Sequence, residues 1–505
     1  MTEDLRAAEA EAVAGSHAAN DPDYPLIHVA PPVGRLNDPN GLLIDDGVAH
    51  VFFQYTPIHP SRRLVYWGHA SSHDLLHWRH HAPAIVPDSF YDASGAYSGN
   101  ALVLEDDERQ QAPHAARYQL FYTGNLKDAD DQRTASQCLV TSPDLVSFTK
   151  WPGNPLIPTH AAGYTAHFRD PQVTRDPDRP GRFRMLLGAQ RQDLTGAAVV
   201  YHSSDLLTWH LEGELSFPDA RGVLDRLGYM WECPGVVRLT EETTGQDRDV
   251  LIWCPQGADR QQADGYENVF PCVYAVGRLE GTALTQCDGT LRQVDHGFEF
   301  YAPQAFSRAP SQPGQALLSG WAGNAGQDDQ PSVTEGGWVH ALTFPRALSL
   351  RHGCLIQRPV LPEPEEQAQV RESLAQAGGE AVTVLEGHRS WHLVVEAEQA
   401  AGALCLRIGS QASHVSIELD LSQRLLRVDR SSSRYTAHGA TRTVTLDGDL
   451  PPRLEVLHDR SVTEVFVGDG DLAFTMRSFV DPAASGARLS TCGVQVKAVS
   501  ASVFD

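Results

Sequence analysis

Three acidic residues stand in short turn-forming contexts. Asp38 lies in Arg-Leu-Asn-Asp-Pro-Asn-Gly (35–41), Asp170 in His-Phe-Arg-Asp-Pro-Gln-Val (167–173) and Glu232 in Trp-Glu-Cys-Pro-Gly-Val (231–236). A proline fixes the backbone after Asp38 and after Asp170, and Gly41 permits a tight turn, so each carboxylate can be held at a strand edge. Arg169 is expected to keep Asp170 ionised and to offer a fork of donors to sugar hydroxyls. Glu232, between Trp231 and Cys233, is expected to lie in an apolar setting that disfavours its charge. A general acid near neutral pH needs that. Taken singly, each motif is weak: Asp38 reads better as an Asx-turn cap, Asp170 as a surface ion pair in a turn, and Glu232 has the alternative of a buried Glu–Arg pair. Together, and at one phase of a repeat, they form a strong signal of carboxylate chemistry.

Residues so far apart in sequence need a fold that brings them together, and a repeat supplies one. A turn, an apolar strand, a loop and a second apolar strand recur from Asp38, Ser98, Asp170, Glu232 and Tyr301, at intervals of 60 to 72 residues. A second pattern, Ser-x-Asp-Leu-apolar-x-aromatic, recurs at Ser72–Trp78, Ser142–Phe148 and Ser203–Trp209. Five units of this length predict an all-β chain that opens with a five-bladed β-propeller over 25–357. The repeat places Asp38, Asp170 and Glu232 at the same position of three units, where they converge on one central channel. Like charges gathered in this way point to function.

The Pro- and Glu-rich stretch 358–370 reads as a linker, and alternating strands over 371–505 read as a C-terminal β-sandwich. Residues 1–24 read as a polar tail or short helix without a basic region and apolar core, so no secretory signal is expected and a cytoplasmic location is. No stretch reaches the length of a membrane span. The 40 basic and 64 acidic side chains give a net charge of −24. That balance argues against nucleic acid and anionic membrane as partners. The eight cysteines show no CxxC spacing and suggest neither zinc nor a disulfide scaffold. The run His73, His77, His80 and His81 lacks evident carboxylate partners, and neither a metal nor a cofactor is expected.

With these motifs in place the chain resembles glycoside hydrolase family 32, over roughly residues 25 to 505. The carriers are Asn37–Gly41, Arg169–Pro171 and Glu232-Cys233. The resemblance implies Asp38 as nucleophile, Asp170 as transition-state stabiliser and Glu232 as acid/base. It further implies a fructose pocket lined by Asn37, Gln54, Trp67, Tyr97, Ser98, Arg169, Cys233 and Trp321. The implied substrates are sucrose and fructo-oligosaccharides. Two positions depart from the family: Arg35 stands where a tryptophan is common, and the loop before Trp67 carries Arg62 and Arg63. An arginine pair there suits a phosphorylated sugar or is simply solvated. A fructosyltransferase, an inverting arabinoside-type hydrolase and a non-catalytic propeller are the competing readings.

Overall fold

The chain is all-β, with a few short helices. The computed structural model describes residues 2–111, 116–259, 266–308 and 315–504. Five sheets of four or five strands follow one another. Their first strands are Gly34–Asp45, Ala96–Val103, Tyr164–Arg175, Met230–Thr240 and Tyr301–Ala305, and each contains the start of one sequence repeat.

The five first strands form a ring. Each lies beside the first strand of the next sheet, and the fifth lies beside the first. Side-chain amides at one repeated position clip neighbouring sheets together. The carbonyl oxygens of Asn40, Asn100 and Gln172 accept the backbone N–H of Gly99, Val173 and Val236 at 3.1, 2.8 and 2.8 Å. Gln304 accepts from Leu42 at 3.4 Å and so joins the fifth sheet to the first. Trp338–Val339 then adds to Gly34–Arg35 as a parallel strand, completing the closure. The three Ser-x-Asp-Leu copies are one turn built three times. Ser72, Ser142 and Ser203 each accept the N–H of the leucine three residues on, at 2.8 to 2.9 Å. Those leucines, Leu75, Leu145 and Leu206, all have positive φ.

The remainder forms two six-stranded sheets around one apolar core that includes Trp391, Leu404, Ile417, Val456 and Phe474. Fully burying one such side chain contributes about 1.5–3 kcal/mol. Not every strand here alternates between a buried and an exposed face. Leu472–Arg477 is buried at every position, because its polar residues reach into the five-sheet part. Thr475 donates to Asp295 and the Arg477 N–H to Glu299. Further buried charges cross the same boundary. Arg430 pairs with Glu299 at 2.8 Å, Arg346 with Glu464, and His28 with Asp459 and Glu464 at 2.9 and 3.0 Å.

Of the two readings of residues 1–24, the short helix is present, over Thr2–Ala14; its Leu5 and Glu9 are buried, and Arg6 donates to the Pro83 carbonyl at 2.9 Å. The linker reading of 358–370 is corrected. The stretch 358–370 is mostly ordered. Glu365–Glu366 pairs with Ser500–Ala501 and a helix starts at Ala368, which leaves 360–364 without regular structure.

Candidate active site

Each first strand carries a register shift at the same place. The shifts lie between Leu36 and Pro39, Tyr97 and Gly99, Arg169 and Gln172, Glu232 and Gly235, and Tyr301 and Gln304. A bulge of this kind re-aims side chains, and proline is tolerated in it because the ladder is already broken. Asp170, Cys233 and Ala302, each followed by proline, take positive φ of 68°, 47° and 44°. The clip residues Asn40, Asn100, Gln172 and Gln304 fix the phase. Counting back two, Asp38, Ser98, Asp170, Cys233 and Ala302 are equivalent. Glu232 therefore sits one position earlier than expected, in line with Asn37, Tyr97, Arg169 and Tyr301. The repeat count from Glu232 was out by one because the fourth unit places a cysteine where units one and three have aspartate.

Asp38 is cradled by donors. Oδ1 accepts from Asn37 Nδ2 at 3.0 Å, and Oδ2 accepts from Gln54 Nε2 at 3.0 Å and Ser98 Oγ at 2.5 Å. The Cys233 thiol lies 3.8 Å from Oδ2. Asn37 Nδ2 also donates to Gln54 Oε1 at 2.9 Å, and Gln54 to Ser98 Oγ. Burial pushes the Asp38 carboxyl above its usual range, with Glu232 adding to the rise and Ser98, Asn37 and Arg35 opposing it.

Asp170 is buried, and its Oδ2 accepts the Cys233 N–H at 3.0 Å. Its own N–H donates to the Thr123 hydroxyl at 3.0 Å, which holds the left-handed backbone. Burial pushes its carboxyl up to about 7; the Glu232 and Asp38 charges add to this and Arg169 opposes it.

Glu232 does not sit in an apolar setting. Oε1 accepts from Arg169 Nη2 at 2.6 Å and Nε at 3.2 Å, and Oε2 accepts from the Tyr301 hydroxyl at 2.8 Å. The reason is strand alternation: Trp231 and Glu232 point to opposite faces, and only Trp231 enters the apolar core. Arg169 also serves Glu232 in preference to Asp170, from which it lies 3.9 Å away, and donates to His167 Nδ1 at 3.0 Å.

The structure thus brings Asp38, Asp170, Glu232, Asn37, Gln54, Ser98, Arg169 and Cys233 into one polar network. Tyr97 lies at its edge, with the Arg133 guanidinium 5.8 Å over its ring. Trp67 is buried and donates to the Tyr97 carbonyl at 2.9 Å. Trp321 is buried with its ring 6.1 Å from that of Tyr301. Tyr301, Thr123 and His167 escaped sequence reasoning. Tyr301 heads the fifth repeat and was open to the same phase argument as Glu232; Thr123 and His167 carry no such signal.

Arg62 and Arg63 are exposed. In the histidine run, His77 does have a carboxylate partner, Asp74 at 2.8 Å. His81 is instead part of a stack, its ring 4.5 Å from that of His69, which hydrogen-bonds His50 at 3.0 Å. All eight cysteines are free thiols. Among the described residues, no helix is long and apolar enough to cross a membrane. Asp21, Asp23 and Glu335 come close enough to share a cation, but Arg389 and Arg434 already pair with Asp23, and Trp338 donates to Asp21.

A ring-borne cluster of three carboxylates with ordered donors is the arrangement of a glycosidase. The chain matches the profile of the glycosyl hydrolases family 32 N-terminal domain over residues 28–359 and that of the family 32 C terminal over 362–505. It is 37% identical over 467 residues to a sucrose-6-phosphate hydrolase of Klebsiella pneumoniae, covering 92% of this chain and 90% of that one. It is 39% identical over 349 residues to the sucrose-6-phosphate hydrolase of Bacillus subtilis, covering 68% and 67%. Among solved structures, the sucrose-6-phosphate hydrolase of Lactobacillus gasseri superposes with a TM-score of 0.79 at 28% identity, over 98% of this chain and 96% of that one. A Bombyx mori β-fructofuranosidase superposes with a TM-score of 0.77 at 25% identity, over 100% and 99%. The chain belongs to glycoside hydrolase family 32.

Proposed function

We propose that the protein is a retaining β-fructofuranosidase that releases terminal β-fructofuranosyl units from sucrose and related β-fructosides. The observation that carries this is the paired setting of Asp38 and Glu232. One carboxylate accepts three side-chain donors, the other is flanked by Arg169 and Tyr301, and the Glu232 charge acts on Asp38. Asp38 attacks the anomeric carbon while Glu232 gives its proton to the leaving oxygen, forming a covalent fructosyl-enzyme. Glu232 then takes a proton from water, and fructose leaves with retention. Asp170 has one carboxylate oxygen committed to the Cys233 N–H, and the other serves the ring hydroxyls. These residues supply every step without a metal or cofactor. We read the ring of five sheets as a five-bladed β-propeller over 25–357 and the two larger sheets as a β-sandwich over 371–505.

A second reading, hydrolysis of sucrose 6-phosphate, is favoured by the relatives' activities and by charge on the Glu232 side of the site. Arg133 makes no ion pair among the described residues, its charge reaches His167, and Arg169 donates to both His167 and Glu232. A phosphate on the leaving sugar would meet that guanidinium.

The test is fructose release from sucrose, sucrose 6-phosphate, raffinose, inulin and levan, by wild type and Asp38→Ala. Release by wild type and loss by several orders of magnitude in Asp38→Ala are expected. Silence of wild type on every substrate, or activity of Asp38→Ala within tenfold of wild type, refutes the assignment. A kcat/KM on the phosphorylated sugar at least tenfold above that on sucrose selects the second reading.

A further inference from the structure

Arg35 occupies the position where a tryptophan is common in the family, and the structure gives it a definite task. Its Nη1 donates to Asn37 Oδ1 at 2.6 Å and its Nε to Asp328 Oδ1 at 2.8 Å, and its guanidinium lies 5.1 Å over the Trp321 ring. A guanidinium can only donate. The Asn37 carbonyl oxygen is therefore committed to Arg35, which turns Nδ2 toward Asp38 Oδ1 and Gln54 Oε1. The Gln54 carbonyl is committed in turn, so its Nε2 faces Asp38 Oδ2. Were the Asn37 amide reversed, its oxygen would face both the Asp38 carboxylate and the Gln54 carbonyl, and Gln54 would have to reverse as well. Both donors would leave Asp38 together.

We propose that Arg35, anchored by Asp328, is a positioning residue that sets the amide orientation of Asn37 and Gln54 and thereby keeps two donors on Asp38. The proposal rests on the reading of Asp38 as nucleophile. Asp328 also faces His59 Nε2 at 3.7 Å and His340 Nε2 at 4.0 Å. Burial holds both imidazoles below their ordinary range, so near neutral pH they are uncharged and Arg35–Asp328 is the charge pair at this corner. On its other sides Asp38 faces the carboxylates of Glu232 and Asp170 and the uncharged Ser98 and Cys233. Arg35 is the cation that opposes the upward push of burial on Asp38.

The test is the pH profile of kcat/KM on sucrose for wild type, Arg35→Met, Arg35→Lys and Asp328→Asn, with thermal unfolding of each. In Arg35→Met, kcat/KM is expected to fall roughly tenfold to a hundredfold, the effect of a misplaced reacting group. Its acid limb is expected to move to higher pH, because the carboxylate has lost donors and a cation. Arg35→Lys and Asp328→Asn should shift the limb in the same direction by less. A folded Arg35→Met within twofold of wild type, or a lowered Tm with an unmoved acid limb, overturns the proposal. If Arg35→Met does not fold, an unmoved limb in Asp328→Asn overturns it equally. Asp38→Ala run alongside separates the two readings. Activity there refutes the nucleophile, whereas a silent Asp38→Ala beside an unperturbed Arg35→Met refutes only the role of Arg35.

Discussion

The hydroxyl of Tyr301 donates to Oε2 of Glu232 at 2.8 Å, on the oxygen that Arg169 leaves free. A hydroxyl donates to a carboxylate and accepts from a carboxylic acid, so Tyr301 can partner Glu232 in both protonation states of the cycle. Tyr301→Phe should lower kcat on sucrose by about 10- to 100-fold, the worth of a hydrogen bond to a charged group. Cleavage of an aryl β-fructofuranoside, whose leaving group barely needs a proton, should suffer less. Equal losses on both substrates would detach Tyr301 from proton transfer.

On the proposed assignment, Glu232→Ala removes the proton donor itself, with an expected loss of about 10²–10⁴-fold on a sugar leaving group. Formation of the fructosyl-enzyme from an aryl fructoside should survive and the intermediate should accumulate, because water has lost its base. Azide, which needs no base, should restore turnover and yield a β-configured fructosyl azide. An α-configured product would mean inversion and end the retaining assignment.

Asp170 makes stability depend on pH. Its carboxyl is pushed from 3.8 up to about 7, so the folded chain holds this proton more tightly than the unfolded chain. The resulting stabilisation is present below pH 3.8 and is lost as pH rises through about 7. Asp170→Asn cannot ionise. Its Tm relative to wild type should therefore rise between pH 4.5 and pH 8, while activity falls by about a hundredfold or more. A Tm difference independent of pH would contradict the shifted carboxyl.

The two parts of the chain share buried charges, so cutting the chain near Glu365 should unfold the remainder rather than free a working ring. Truncation strips Arg346 and His28 of Glu464, His28 of Asp459 and Glu299 of Arg430. Removing one partner of a buried pair destabilises by about 3–5 kcal/mol. Asp459 and Glu464 hold the His28 imidazole up at about 9 against the opposing effect of burial. Its contribution is present below pH 6.5 and is lost as pH rises through about 9. Wild type should lose Tm between pH 7 and pH 10 more steeply than His28→Gln. A soluble, fully active truncation with unchanged Tm would refute the shared-charge argument.

The ring was legible because five repeats of similar length each carry one turn and one inner strand, and the starts at Asp38, Ser98, Asp170, Glu232 and Tyr301 all fall on such strands. The meeting of three carboxylates followed from that periodicity. Their partners did not. Arg169 is adjacent to Asp170 in sequence, yet a bulge separates their directions and the arginine serves Glu232 in the next sheet. The apolar neighbours of Glu232 in sequence say nothing about its surroundings, because alternation sends Trp231 the other way. Leu472–Arg477 was invisible for a related reason. It is buried on both faces, and the charges that satisfy it come from residues nearly two hundred positions earlier.

Asp38 lies on the strand that closes the ring, held by residues 304, 338 and 339 from the far end of the five-sheet part. During synthesis this separates the presence of the three carboxylates from their assembly. A ribosome that has passed residue 232 has made all three carboxylates and no enzyme. The first strand cannot be latched before residue 339 exists, and the buried partners of Glu299, His28 and Arg346 lie farther on still, at Arg430, Asp459 and Glu464.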